Sequence, residues 1–134
     1  MHMFLNGTAM SGQSDHHHLN GAPFLGEART APRYRFYAVR NEFPGLVPVE
    51  AGGASIVGEL YDLDDEVWHT SLAMAEPVEL YLGMITLDDG RQVQAMLLDL
   101  DKVAPDELHD ITAVGGWRAH LLDLGLVAPP ARTS

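Results

Sequence analysis

The sequence ELYLGMITLDDGRQVQAMLLDL, residues 79–100, contains the clearest structural pattern in the chain. Two largely apolar stretches, 79–87 and 91–100, flank the turn sequence Asp88–Gly90. Asp-Gly favours the tight turns that join antiparallel strands, because glycine readily adopts a positive φ. The pattern therefore predicts a β-hairpin.

Further strand patterns precede this hairpin. Residues 1–5 are typical of a buried strand that leaves the sheet at a glycine turn, and residues 55–63 alternate like a strand with one inward face. Residues 21–39 are rich in aromatic and β-branched residues and predict two strands divided near Pro32. Asn41–Pro48 contains two prolines and a glycine and is predicted to be largely loop.

Two helices are predicted among these strands. Asp64 is a suitable N-cap for a first helix, which Pro77 ends, and a second helix is expected from Gly116 to Leu124. Strands outnumber helices, and the two types do not alternate steadily along the chain. The pattern therefore favours an α+β fold, in which a mixed or mostly antiparallel sheet carries its helices outside.

The composition describes an acidic chain with enough apolar residues for one core. Of its 134 residues, 46% are hydrophobic, and eight Lys and Arg oppose nineteen Asp and Glu, for a net charge of -11. This charge repels phosphate backbones and anionic membrane surfaces, so neither nucleic acid nor membrane is an expected partner. The chain has no cysteine and no apolar run long enough to span a bilayer, and we expect a cytoplasmic protein.

Three segments carry a resemblance to a known family. They are FLNGTAMSGQSDHHHL (4–19), FLGEARTAPRYRFYAV (24–39) and DITAVGGWRAHL (110–121). Together they resemble the C-terminal domain of allophanate hydrolases, within the γ-glutamylcyclotransferase-like (AIG2-like) superfamily. The resemblance implies a small mixed, mostly antiparallel β-barrel with flanking helices. We expect a single domain over 1–127 and a disordered tail over 128–134.

The resemblance also implies a ligand cavity beside the turn after the first strand. This turn maps to Asn6, Gly7, Thr8 and Ala9, where Asn6 replaces the tyrosine of the family signature and Ala9 replaces its leucine. Cyclotransferases of the superfamily use a glutamate as general acid and base. The matching region, LAMAEPVELY (72–81), offers two candidates, Glu76 and Glu79, although Pro77 stands where the family has glycine.

Other candidate site residues lie in the first half of the chain. The resemblance aligns His17 with a histidine of the allophanate hydrolase domain, and a histidine can transfer protons near pH 7. Arg33 and Arg35 are expected to share a strand face and to bind a carboxylate, and Tyr37 to line the same cavity, although solvated arginines and a packed tyrosine explain the pattern equally well. The side chains of three consecutive histidines, His16–His18, point in different directions and cannot together hold one ion, so no metal is expected. No cofactor is expected either.

Three functions remain open from the sequence. The first is an enzyme for a small anionic amide or carbamate, for example one that decarboxylates N-carboxycarbamate during allophanate breakdown, with His17 and one arginine in the site. The second is a γ-glutamylcyclotransferase-type lyase acting on γ-glutamyl amines through Glu76 or Glu79. The third is a noncatalytic protein that docks on an amidase. Because 134 residues leave no room for the amidase domain, any amidase partner is expected to be separately encoded.

Overall fold

The computed structural model describes residues 1–13 and 15–124. Eight strands form one sheet. They are β1 His2–Leu5, β2 Phe24–Arg29, β3 Tyr34–Val39, β4 Phe43–Pro48, β5 Val57–Asp62, β6 Leu80–Thr86, β7 Gln92–Leu98 and β8 Leu108–Asp110. The predicted tail, 128–134, lies outside the described residues, as do residues 125–127 of the predicted domain.

The sheet is a mixed half-barrel. Its order is β2-β5-β1-β7-β4-β3-β8, and β6 pairs with β7. β7 runs parallel to β1 and to β4, while the other pairs are antiparallel. The predicted α+β fold with a mixed, mostly antiparallel sheet is therefore confirmed, as is the 79–100 hairpin, whose strands pair from Leu80 with Leu98 to Thr86 with Gln92.

Two helical segments accompany the sheet. The first, called the composite helix below, consists of an α-helical turn Asp65–Val67, a π-helical part Trp68–Leu72 and a second α-helical turn Ala73–Ala75. Asp64 caps it as predicted, because its side chain accepts a hydrogen bond from the amide of Glu66. The second, the C-terminal helix, spans Trp117–Asp123. No helix in the described part of the chain has the length and apolar character needed to cross a membrane.

Strand β4 shows that the prediction of a loop over Asn41–Pro48 was wrong. β4 pairs with β3 along its whole length, but it pairs with β7 only at Leu46. Proline cannot donate to a ladder, and it is tolerated where one edge of a strand is largely unpaired. Two prolines are therefore compatible with a strand here, and residues 43–46 are buried.

Strand β5 is buried more completely than its alternating pattern predicts. Gly58, Glu59, Leu60 and Tyr61 are all buried, because β5 lies between β2 and β1 and is covered on both faces. The main core includes large apolar side chains with no more than 2% exposure, among them Phe4, Phe36 and Leu60. This core fixes the end of β1, from which the candidate site begins.

Candidate functional site

A narrow pocket opens beside the end of β1. Its non-atom space is about 350 Å³, a volume that includes space open to solvent. Its walls are the Asn6–Ala9 turn, the Glu76–Pro77 segment and six mainly apolar side chains: Phe4, Leu5, Phe43, Pro44, Leu80 and Met96. No arginine, lysine or histidine is among the lining residues. This space is called the Glu76 pocket below.

The Asn6–Ala9 turn forms one wall because glycine permits a close approach to β4. A Cβ atom on Gly7 would lie 2.7 Å from Cδ of Pro44, which real side chains do not tolerate. The amide of Met10 closes the turn by donating to the Gly7 carbonyl at 3.1 Å. Asn6 is 8% exposed, and its side-chain nitrogen has no hydrogen-bond partner. A buried donor of this kind is available to an oxygen atom of a ligand.

Glu76 forms the opposite wall because Pro77 ends the composite helix. The residue before a proline is driven out of the helical region, and Glu76 has an extended backbone with φ -73° and ψ 142°. Its side chain is partly buried among apolar neighbours. Burial, together with the nearby charge of Asp15, raises the pKa of Glu76 to about 7. Near neutral pH its carboxyl group can therefore both donate and accept a proton.

Glu79, the other candidate glutamate, belongs to a different arrangement. It accepts a hydrogen bond from Nη2 of Arg40 at 2.9 Å, and only 14% of its side chain is exposed. Arg40 also binds Glu42 and Glu107. Glu79 is not among the residues that line the Glu76 pocket. Of the two glutamates, only Glu76 lies beside the Asn6–Ala9 turn.

The histidine segment contacts the Asn6–Ala9 turn through hydrogen bonds. Residues His16–Leu19 form a 3₁₀ turn, in which His16 Nδ1 lies 3.0 Å from the carbonyl oxygen of Ala9. The amide of Asp15 donates to the Thr8 carbonyl at 2.8 Å. His17 is exposed, its ring lies against that of His18, and it is not among the lining residues. The segment therefore braces the turn without bringing His17 to the cavity.

The predicted carboxylate-binding residues lie elsewhere on the sheet. Arg33 is exposed and precedes β3. Arg35, on β3, donates to Asp110 and to the carbonyl of Gly52. Tyr37 packs against the small cluster of Val39, Phe43 and Leu98. The structure does not bring these three residues to the Glu76 pocket, and their roles in ligand binding stay predictions.

Sequence reasoning missed the apolar walls of the pocket. Phe43 and Pro44 lie in the segment that was predicted to be a loop. Met96 lies on β7, and its place beside the pocket depends on how β7 pairs within the sheet, which the local sequence does not reveal. A strand prediction for β4 was the one signal that could have identified the first two. Among the described residues, no group of three or more His, Asp or Glu side chains is arranged to hold a metal ion.

The arrangement suits proton transfer to a small ligand. Glu76 supplies a carboxyl group with a pKa near neutrality, Asn6 supplies a donor, and the remaining walls of the pocket are mainly apolar. A small ligand whose oxygen atom accepts a hydrogen bond from Asn6 would therefore occupy the same pocket as the Glu76 carboxyl group.

Known proteins place this arrangement in a wider context. Residues 1–122 match the family model of the allophanate hydrolase C-terminal domain. A protein specific to uropathogenic E. coli is similar in structure, with a TM-score of 0.82 and 30% identity over 89% of this chain and 93% of that chain. Allophanate hydrolase from Kluyveromyces lactis matches with a TM-score of 0.84 and 25% identity over 92% of this chain but 21% of that chain.

A curated relative points to the wider superfamily. γ-Glutamylaminecyclotransferase A from Danio rerio is 33% identical over 73 residues, which is 50% of this chain and 45% of the relative. The chain spans about half the length of the curated relatives it matches. The γ-glutamylcyclotransferase-like fold that the sequence resemblance implies is thus confirmed. With 122 residues matched by the family model, the chain belongs to the allophanate hydrolase C-terminal domain family.

Proposed function

We propose that this protein is an enzyme in which Glu76 transfers a proton to or from the nitrogen of a small amide or N-carboxy substrate. The observation that carries the proposal is that Glu76 lines the same pocket as the Asn6–Ala9 turn and has a pKa of about 7. Catalytic proton transfer is most effective when the pKa of the group lies near the working pH.

The first candidate reaction is decarboxylation of N-carboxycarbamate. Membership of the allophanate hydrolase C-terminal domain family supports this substrate. In the proposed step the bond between nitrogen and one carboxylate carbon breaks, and its electron pair stays on nitrogen. Glu76 gives that nitrogen its proton, carbon dioxide and carbamate leave, and water reprotonates the carboxylate. Glu76 thus takes the role that the sequence suggested for His17.

The apolar walls of the pocket support this reaction. Carboxylates lose carbon dioxide more readily when they are stripped of water, and Leu5, Phe43 and Met96 offer no hydrogen bonds to a bound carboxylate. The narrow space favours a ligand of few atoms. A separately encoded amidase would supply the substrate, because N-carboxycarbamate is the product of amide cleavage in allophanate.

The second candidate reaction is cyclisation of a γ-glutamyl amine, which also uses a glutamate placed, as Glu76 is, beside the Asn6–Ala9 turn. The γ-glutamylaminecyclotransferase A relative supports this class. Here Glu76, as a carboxylate, removes a proton from the α-amine while that nitrogen bonds to the γ-carbonyl carbon. The amide bond then breaks, Glu76 returns the proton to the leaving amine, and 5-oxoproline remains.

A noncatalytic docking protein has weaker support. It predicts an exposed apolar patch, and Met74 and Val78 are 79% and 78% exposed close to Pro77. It also predicts the absence of an enclosed space with convergent polar groups. Asn6 and Glu76 line the same pocket, which is why an enzyme is the better proposal.

A paired substrate assay tests the proposal. Native protein, Glu76→Gln and Glu50→Gln are compared for release of carbon dioxide from allophanate in the presence of an amidase, and for release of 5-oxoproline from γ-glutamyl amines. Glu50 is an exposed carboxylate outside the pocket, so it is a matched control. Loss of a general acid or base lowers the rate by about a hundredfold or more. We expect that loss for Glu76→Gln and native rates for Glu50→Gln.

Release of carbon dioxide by native protein would identify the decarboxylation, and release of 5-oxoproline would identify the cyclisation. If native protein accelerates neither reaction, or if Glu76→Gln matches native protein in the reaction that it does accelerate, the proposed role of Glu76 is wrong.

A further inference from the structure

Ser11 lies two residues beyond the Asn6–Ala9 wall of the Glu76 pocket, in the same loop, and it is held by several hydrogen bonds. It is 4% exposed. Its backbone amide donates to Oε1 of Glu59 at 2.7 Å, and its hydroxyl donates to Oε2 at 2.7 Å. Both oxygens of one carboxylate are therefore directed at a single residue of the loop.

Glu59 is a buried charge on β5. It is 4% exposed and lies opposite Leu5, the residue that precedes the pocket turn. Burial raises the pKa of Glu59, but the hydrogen bonds from Ser11, the charge of Arg118 and the hydroxyl of Tyr61 outweigh burial and hold that pKa below its ordinary value. The carboxylate that anchors the loop therefore stays ionised at neutral pH.

Arg118 brings the C-terminal helix into the same cluster. Its Nη2 donates to the carbonyl oxygen of Ser11, lies 3.0 Å from the Ser11 hydroxyl, and lies 3.4 Å from Oε2 of Glu59. Ser11 is thus bound through its amide, hydroxyl and carbonyl by two side chains that are 59 positions apart in the chain. This multiplicity leaves the end of the loop little freedom to move.

We infer that Arg118 and Glu59 are positioning residues for the Glu76 pocket, which hold Ser11 so that the Asn6–Ala9 wall stays opposite Glu76. The Asn6 side-chain nitrogen has no partner of its own, so the orientation of that amide depends on how the rest of the loop is held. The ion pair of buried Glu59 with partly buried Arg118 adds little to general stability, but its directed hydrogen bonds select one conformation of the loop. The catalytic consequence rests on the proposed function, whereas the effect on the loop does not.

Three variants separate positioning from general stability. Arg118→Gln removes the cation, and Ser11→Ala removes only the hydroxyl that reaches Glu59. Thr30→Val is the control, because Thr30 is also fully buried and hydrogen-bonded, to the amide of Ile56, but it does not line the pocket. The reporters are amide hydrogen exchange at Met10, whose amide closes the turn, and the titration of the Glu76 carboxyl group followed by NMR.

We expect Arg118→Gln to accelerate exchange at Met10 by at least about tenfold, because local opening governs the exchange of such amides. We also expect the Glu76 titration midpoint to fall from about 7 towards its ordinary value as water enters the pocket. Ser11→Ala should produce the same changes to a smaller extent, and Arg118→Lys should restore part of the protection. Thr30→Val should leave both reporters at their native values.

The inference is overturned if Arg118→Gln and Ser11→Ala lower the melting temperature as Thr30→Val does but leave Met10 exchange and the Glu76 titration unchanged. If Arg118→Gln does not fold, the same two measurements on Ser11→Ala decide. With a substrate in hand, kcat should fall at least tenfold in Arg118→Gln. If native protein turns over neither substrate, the proposed function fails while the exchange data still test the positioning.

Discussion

Glu76 shows how one local rule produces a chemically useful side chain. Pro77 forces the residue before it into an extended conformation, which turns Glu76 away from the helix end and into the pocket. A carboxyl group placed there is partly buried among apolar walls and lies near the charge of Asp15. The rise of its pKa to about 7 is the direct consequence.

The raised pKa makes a testable statement about stability. Between its ordinary value of 4.5 and about 7, Glu76 is protonated in the folded state and largely ionised in the unfolded state. The stability that this group contributes is therefore present at low pH and is lost as pH rises through that window. Each pKa unit corresponds to about 1.4 kcal/mol. We expect Glu76→Gln to gain on the order of 2 kcal/mol relative to native protein between about pH 5 and pH 8.

Urea unfolding of native protein and Glu76→Gln at about pH 5 and about pH 8 measures this change in the free energy of unfolding. Glu50→Gln, which removes an exposed carboxylate, should show no such pH-dependent difference. Equal pH dependence of native protein and Glu76→Gln would contradict a pKa raised by burial.

At the scale of single residues, sequence reasoning located the pocket only in part. Asn6–Ala9 and Glu76 were identified through the family resemblance, and they do meet in one pocket. The cluster of Ser11, Glu59 and Arg118 was missed, because its members are distant in the chain and each residue alone resembles an ordinary surface group. Only the fold reveals that Glu59 is buried beside the partly buried Arg118.

At the scale of elements, the patterns that depend on local sequence were predictable. The 79–100 hairpin, the Asp64 cap and the C-terminal helix follow from turn chemistry, capping and apolar spacing. Strand β4 was not predictable from local rules, because its prolines are acceptable only where the neighbouring strand leaves one edge largely unpaired. Its tertiary context overrides the local preference for a loop.

The tip of the β3–β4 hairpin offers a test of backbone strain. Asn41 has a φ of 57°, and its side-chain oxygen lies 3.0 Å from Nε2 of His120 on the C-terminal helix. Asn41→Gly keeps the backbone relaxed and removes only the hydrogen bond, which should cost about 1 kcal/mol. Asn41→Ala adds the strain of a left-handed conformation, for a total of roughly 2 to 3 kcal/mol.

Denaturant unfolding of the two Asn41 variants separates the two contributions. An Asn41→Ala protein no less stable than Asn41→Gly would show that the left-handed backbone at the tip carries no strain. An Asn41→Gly protein with the same free energy of unfolding as native protein would show that the contact with His120 contributes nothing to stability.

At the scale of the whole molecule, the acidic excess shapes how the few cations are used. Arg35, Arg40, Arg91 and Arg118 each bind at least one carboxylate, and Arg40 alone binds three. Arg35, Arg40 and Arg118 therefore connect segments that are distant in the chain, whereas Arg91 binds Asp89 two residues away. The many carboxylates left over have no comparable supply of positive charge, since nineteen acidic residues face eight basic ones.

This imbalance predicts how salt affects stability. With a net charge of -11, self-repulsion opposes the compact state. Dissolved ions screen repulsion between exposed charges more than they screen the pair of buried Glu59 and partly buried Arg118. We expect the melting temperature to rise by a few degrees between about 10 mM and 150 mM sodium chloride, a range over which the screening length falls from about 30 Å to about 8 Å. Differential scanning calorimetry at neutral pH measures the shift, with Arg91→Gln as a control in which an exposed ion pair is absent. A melting temperature that falls with salt in both proteins would mean that the attractive pairs outweigh the net repulsion. In that case the arginine-centred contacts, rather than the acidic excess, would dominate the electrostatic free energy of this fold.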